Sequence, residues 1–305
     1  MDVVLFVILT TKIFRMPTNT PRSHIYFSQR LRLHYVTWGN EGAPPVLLIH
    51  GGHDHCRNWD WVAQSLQKDY FVVAPDLRGH GDSQWLVGSP YSMVDFLYDI
   101  EQLVHQLGYK QISVIGHSLG GMIALLYAGL YSEKVNRALS IEGMAGYNLR
   151  FDRAPEQIRS RMRNWIESTR GLASRTPRRY PTITEAFQRM QSVNSYLTTE
   201  QARHLTIHGS NQNENGTYSW KFDNYTRVFG PVRLANEEIE YLYSQIDCPV
   251  LLVYGKDSWA GAPPKDKFSA SIPNFQTAAI GDAGHWCHHD HLDEFLAIAN
   301  KFLQT

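Results

Sequence analysis

Two hydrophobic rhythms alternate along most of this chain. HIYFSQ and LRLHYVTWG (24–39) alternate apolar and polar positions, the pattern of an antiparallel hairpin with one buried face. PVLLIH (45–50), FVVAPDLR (71–78), QISVIGH (111–117) and RALSIEG (137–143) are continuous apolar runs, as expected of parallel strands covered on both faces. Helical patterns separate them at about 58–68, 92–107 and 119–132. In the second, Met93, Phe96, Leu97, Ile100, Leu103 and Leu107 recur at helical spacing. The strand rhythm returns at PVLLVYG (249–255) and FQTAAIG (275–281), and HLDEFLAIANKFL closes the chain as a helix. The pattern predicts an α/β fold with a mostly parallel, eight-stranded sheet flanked by helices.

After residue 145 the rhythm breaks for about a hundred residues. This stretch is polar and helical, clearest in APEQIRSRMRNWIEST and TITEAFQRMQ. It predicts a helical cap over 147–240, inserted into a core formed by 21–146 and 241–305 and lying over the loop edge of the sheet. From Arg150 to Tyr180 nine arginines face three acidic residues. Such a run is ordinarily the solvated face of cap helices; its functional alternative is a preference for carboxylated substrates.

Residues 1–20 stand apart as an N-terminal extension. The apolar run Val3 to Thr11 is too short to span a bilayer, Asp2 sits where a signal peptide carries basic residues, and no small-residue cleavage site follows. Two readings stay open: a protein that starts at Met16, or a membrane-targeting segment. Positive and negative charges balance at 29 each, so no global field favours nucleic acid or an anionic membrane. Cys56, Cys248 and Cys287 are odd in number and far apart, which excludes a disulfide framework and points to reduced thiols and a cytoplasmic location. No stable membrane span is expected.

The chemistry starts at SVIGHSLGGMIALLYA (113–128), where a strand-like run meets a helix-like one at a serine between glycines. Gly116-His117-Ser118-Leu119-Gly120 fits G-x-S-x-G, a turn so tight that the residues two before and two after the serine must be almost without side chain. That turn lifts Ser118 Oγ clear of the sheet at a helix N-terminus, where developing negative charge is favoured. A serine nucleophile needs a base, and the base needs an orienting carboxylate. His285, in GDAGHWCHH between the last strand and last helix, is the expected base; His288, His289 and His291 read as surface or capping residues, with Asp290 capping the final helix. Asp257, after PVLLVYGKD, is the expected acid and gives the chain order Ser, Asp, His. Glu142, in LSIEGMAG, is its rival, since it ends the strand after the nucleophile strand and could approach the same histidine. For the oxyanion, the expected donors are the Leu119 N–H and the Gly52 N–H in His50-Gly51-Gly52; losing one such donor costs roughly 3–4 kcal/mol of transition-state stabilisation. His53, His117, Glu142, Trp259 and Trp286 are candidates to line the substrate site; Trp59 is a further candidate, and aromatics there could equally be core. Neither the His285–His291 cluster nor HGGHDHC (50–56) has the spacing of a zinc site, so no metal is expected.

LLIHGGHDHCRNWDWVAQSL, VVAPDLRGHGDS, VIGHSLGG, PVLLVYGKDS and GHW stand in the order seen in the α/β-hydrolase superfamily. Over 24–146 and 245–304 the chain resembles the esterase and lipase-like branch with a helical cap. The resemblance implies hydrolysis of a small-molecule carboxylic ester through an acyl-enzyme, without a cofactor, and makes Asp76 to Ser83 a structural turn near the site. Haloalkane dehalogenases and epoxide hydrolases of this superfamily carry an aspartate nucleophile at the elbow, where this chain has Ser118. Lactonases, thioesterases and carbon–carbon bond hydrolases share the serine set. A ligand-binding receptor built on the same fold can keep it too; turnover separates that reading from an enzyme.

Overall fold

A computed structural model describes residues 20–144, 155–263 and 267–304. The N-terminal apolar run and the first residues of the expected cap, up to 154, lie outside the described residues. Eight strands form one sheet: β1 (Arg22–Ser28), β2 (Leu31–Trp38), β3 (Pro45–Ile49), β4 (Phe71–Pro75), β5 (Ile112–His117), β6 (Val135–Ile141), and, after the hairpin β7 (Ser210–Gln212) and β8 (Tyr218–Trp220), β9 (Val250–Gly255) and β10 (Phe275–Ile280). Their order is β1-β2-β4-β3-β5-β6-β9-β10. β1 and β2 pair antiparallel, as does β2 with β4; the remaining pairings are parallel. The alternating and continuous apolar runs therefore become the antiparallel edge and the parallel centre that their periodicities predict.

Helices α1 (Asp60–Leu66), α2 (Met93–Gln106) and α3 (Leu119–Leu130) connect the strands of the first half. Helix α2 starts at Ser92, whose side chain accepts the Asp95 N–H, and it buries Phe96, Leu97, Ile100 and Leu103 on one face. Helix α3 is apolar almost all round, because it lies between the sheet and a further helix, α7 (Asn236–Ser244). Val46, Leu47, Leu48 and Ile49 are each at most 3% exposed. Burying such side chains stabilises the fold by about 1.5–3 kcal/mol apiece, enough to fix the central strands and so the loops at their C-terminal ends.

Between β6 and β9 the chain leaves the sheet. Helices α4 (Ile158–Ala173), α5 (Ile183–Val193) and α6 (Thr199–Gly209) and the β7–β8 hairpin form this helical insertion. The next helix, α7 (Asn236–Ser244), belongs to the main core through Ile239 and Tyr243. Helix α4 buries none of its residues fully, consistent with its arginine-rich, solvated character. Two short helices, α8 (Lys267–Ala270) and α9 (Cys287–Asp290), precede the closing helix α10 (Leu292–Gln304). Among the described residues no helix is long and apolar enough to cross a membrane.

Candidate active site

Ser118 joins β5 to α3 with φ 51° and ψ −115°, a left-handed backbone that side-chain-bearing residues rarely adopt. The turn is clamped: Ser118 N–H donates to Ile141 O at 2.8 Å, and Met122 N–H donates to Ser118 O at 3.1 Å. A side chain at Gly116 would run into the Gly120 backbone, and one at Gly120 into the carbonyls of Ile49 and His50. The elbow pattern thus has a steric cause in the close approach of three backbone segments. Six non-glycine described residues have positive φ, and three of them, His53, Ser118 and Glu142, share the wall of one cavity. That concentration marks the end of the sheet where chemistry is expected.

His285 sits in the loop after β10. Its Nδ1 lies 2.6 Å from Glu142 Oε2. Glu142 side chain is fully buried, and its Oε1 accepts the Gly255 N–H at 2.7 Å while Oε2 also accepts the Ser258 hydroxyl at 2.5 Å. Asp257, the expected partner, is exposed, and its side chain instead accepts the Tyr196 hydroxyl at 3.4 Å. The structure therefore pairs His285 with Glu142 and not with Asp257. The physical reason lies in strand order, because β6 is adjacent to β5 whereas β9 is one strand further away. A glutamate at the end of β6 also reaches further than an aspartate. Asp257 still supports the loop through its backbone, whose N–H donates to Ala283 O at 3.0 Å.

The histidines around His285 are also placed differently from expectation. His117 is buried, lies outside the cavity wall, and donates from Nε2 to the His285 carbonyl at 2.9 Å. It positions the loop rather than lining the site. His288 and His289 are core residues, 0% and 3% exposed, because α9 turns them inward against Trp59, Trp61 and Trp286. Burial holds the His288 imidazole well below its ordinary pKa and that of His289 at about 3, so both are neutral. Asp290 does not cap α10: it ends α9, and its Oδ2 accepts the Gly284 N–H at 2.8 Å, fixing the residue before His285. Burial raises the Asp290 carboxyl to about 6.

On the opposite wall, His50 organises the Gly51–Gly52 loop. Its Nδ1–H donates to Gly51 O at 2.7 Å and its Nε2 accepts the Leu77 N–H at 3.0 Å. Burial lowers its pKa to about 3, which keeps the ring neutral and able to play both parts. A side chain at Gly51 would come within 2.8 Å of His117 Nδ1, whereas one at Gly52 would meet only open cavity. Asp76 and Arg78 behave as a structural turn. Asp76 accepts from Cys56 N–H, Asp82 N–H and His34 Nδ1, and Arg78 is buried against Asp95 and Asp99. His34, Cys56 and Asp76 bring ligand-type atoms within 4.8 Å of one another, but those three hydrogen bonds already engage the carboxylate as a hub for the loop.

Gly52, His53, Ser118, Leu119, Glu142, Trp259, His285 and Trp286 face one cavity of about 1390 Å³, roofed by residues of the insertion such as Met190, Tyr196 and Phe222. Trp259 is 72% exposed, and its ring centroid lies 4.6 Å from that of His285. Trp59 is 0% exposed and belongs to the core under α1 and α10. Sequence reasoning missed Ser258, Tyr196, Phe222 and the supporting role of His50. Ser258 and His50 lie beside residues already singled out, but nothing in the polar insertion distinguishes Tyr196 or Phe222 in advance.

The model of the alpha/beta hydrolase fold family matches residues 44–292. The chain belongs to this family. Among its curated relatives, human Epoxide hydrolase 4 is 27% identical over 296 residues, covering 90% of this chain and 75% of that protein. Human Serine hydrolase-like protein 2 is 30% identical over 165 residues, covering 53% of this chain and 52% of that protein, so the match spans about half its length. Of solved structures, the thioesterase domain from the curacin biosynthetic pathway superposes with a TM-score of 0.76 at 25% identity, covering 92% of this chain and 99% of that one. A hypothetical protein from Pseudomonas aeruginosa PAO1 gives 0.79 at 23% identity, covering 91% and 96%, and shows the shared fold. For a member of this family, the serine at the elbow and the buried carboxylate on the histidine are the features that bear on chemistry.

Proposed function

We propose that this protein is a serine hydrolase that cleaves a carboxylic ester by acyl transfer, with Ser118 as nucleophile, His285 as base and Glu142 as the orienting acid. The observation that carries the reading is the His285–Glu142 pair, which faces the same cavity as the strained Ser118 elbow. With Nδ1 held by Glu142, His285 has Nε2 left for the Ser118 hydroxyl. It takes the proton as Oγ attacks the carbonyl, and Glu142 stabilises the imidazolium that forms. The N–H groups of Leu119 and Gly52 receive the oxyanion. The leaving alcohol departs with the proton from His285, and water repeats the sequence to release the acid.

The likeness to the thioesterase domain supports a thioester as a second substrate class for the same machinery. The epoxide hydrolase relative raises a third reaction class. Against it stands Ser118, where epoxide hydrolases of this superfamily have aspartate. The test is hydrolysis of p-nitrophenyl esters from short to long chains, with Ser118→Ala alongside. Turnover that disappears in the variant supports the proposal. Turnover that persists unchanged, or its absence together with hydrolysis of an epoxide, contradicts it.

A further inference from the structure

The acyl transfer just described gives no task to the arginines of the cavity wall, Arg178, Arg179, Arg189 and Arg227, and of these Arg227 stands on the segment bridged to the loop after β4. Arg227 ends the single turn Asn224–Arg227, and this turn is tied to the sheet side of the cavity. Asp223 accepts the Tyr225 N–H at 3.0 Å and the hydroxyl of fully buried Tyr91 at 2.8 Å. Its own N–H donates to Gly79 O at 2.8 Å, and Phe222 forms a β-bridge with His80. Arg227 therefore stands on a segment held by the loop that follows β4.

The guanidinium lies 5.4 Å from the centroid of the Phe222 ring, and Nε donates to Asn224 Oδ1 at 3.4 Å. The Phe222 ring is in turn 4.8 Å from that of His53, the residue after Gly52. The positive charge reaches that far: burial first, and Arg227 second, hold the His53 imidazole down at about 3. Among the described residues no carboxylate pairs with Arg227, and partial desolvation lowers its own pKa. The acids of the cavity are engaged elsewhere, Glu142 by His285, Asp290 by Gly284 and Asp257 by Tyr196. Arg227 is exposed on the cavity wall, and a guanidinium whose partners among the described residues are a ring face and an amide oxygen keeps N–H donors available to an anionic group.

We propose that Arg227 is a specificity-determining residue that receives an acidic substituent of the substrate, so that the preferred esters carry a carboxylate remote from the scissile carbonyl. This rests on the serine hydrolase reading and names the substrate class of that site. Mono-p-nitrophenyl esters of dicarboxylic acids, from succinate to pimelate, are compared with the same compounds in which the free acid is a primary amide. The ratio of kcat/KM, acid over amide, is expected to reach about 10- to 100-fold at one chain length, the range of a hydrogen bond to a charged group. Arg227→Gln brings that ratio near one, Arg227→Glu inverts it, and Arg227→Lys restores part of it. Calorimetric titration of the acid ester into Ser118→Ala protein, with and without Arg227→Gln, reads binding without turnover. A ratio near one at every length in the native protein, or a preference untouched by Arg227→Gln and Arg227→Glu, overturns the assignment. Turnover of both ester series that survives Ser118→Ala overturns the nucleophile instead, and so the two failures are distinguishable.

Discussion

The ends of β6 and β9 each present a carboxylate near the loop that carries His285, and only one of them holds the imidazole. Glu142, with φ 51°, is buried and takes hydrogen bonds from the Gly255 N–H, the Ser258 hydroxyl and His285. Asp257 faces solvent and meets a tyrosine of the insertion at 3.4 Å. The two differ in the number of donors arranged around them before any substrate arrives. A carboxylate with three such donors is held in one geometry and can hold a histidine in turn; an exposed one with a single long contact is not. Strand position relative to Ser118, and not chain order alone, decides which acid is in reach of His285.

Removing each acid in turn separates the two carboxylates most strongly. Glu142→Gln is expected to lower kcat on an ester by about ten-thousand-fold, the scale seen when an orienting carboxylate becomes an amide, as measured by steady-state kinetics on folded protein. If the loss is below tenfold, Glu142 does not orient the base. A smaller effect belongs to the groups that hold the pair. Ser258→Ala removes one donor from Oε2 and is expected to lower kcat about tenfold with little change in KM.

His117 tests the other side of the loop. His117→Ala removes the donor to the His285 carbonyl and is expected to lower kcat about tenfold, while His117→Gln, which keeps an N–H, recovers part of it. Equal losses in both variants would assign the effect to packing. Asp257→Asn is expected to stay within about threefold of the native kcat, as for other exposed positions.

The fold was legible because it rests on periodicity. The continuous apolar runs become the parallel strands, the alternating pair becomes the antiparallel edge, and the elbow glycines are required by backbone contacts that any βα turn of this shape makes. Ser118 and His285 could be placed on one sheet edge from chain order alone. The carboxylate that holds His285 could not, because β6 and β9 both deliver a carboxylate to that edge and only three-dimensional burial separates them. The burial of His288 and His289 is not visible in the sequence for a related reason, since polar type says nothing about which way a four-residue helix turns. Arg227, Tyr196 and Phe222 lie in the insertion, whose polar helices follow no pattern tied to the sheet.

Stability gives a weaker contrast between a satisfied acid and a desolvated one. Asp54, just after the Gly51–Gly52 loop, accepts from the His55 N–H and Asn58, yet burial raises its pKa from 3.8 to about 8. The folded state then holds a proton that the unfolded chain releases near pH 4. Its contribution to stability is full below about pH 4, falls as pH rises, and is lost by about pH 8. Asp54→Asn is expected to flatten that part of the stability–pH profile, as read from denaturant midpoints between pH 5 and 9. An unchanged slope would show that Asp54 is not protonated in the fold.

The most direct test of the account is the proton NMR signal of the His285 ring, recorded without substrate at low temperature. A strongly downfield Nδ1–H resonance is predicted for the native protein, retained in Asp257→Asn and moved upfield or lost in Glu142→Gln and His285→Ala. A resonance that survives Glu142→Gln and disappears in Asp257→Asn would return the orienting role to Asp257 and contradict the pairing at the centre of this account.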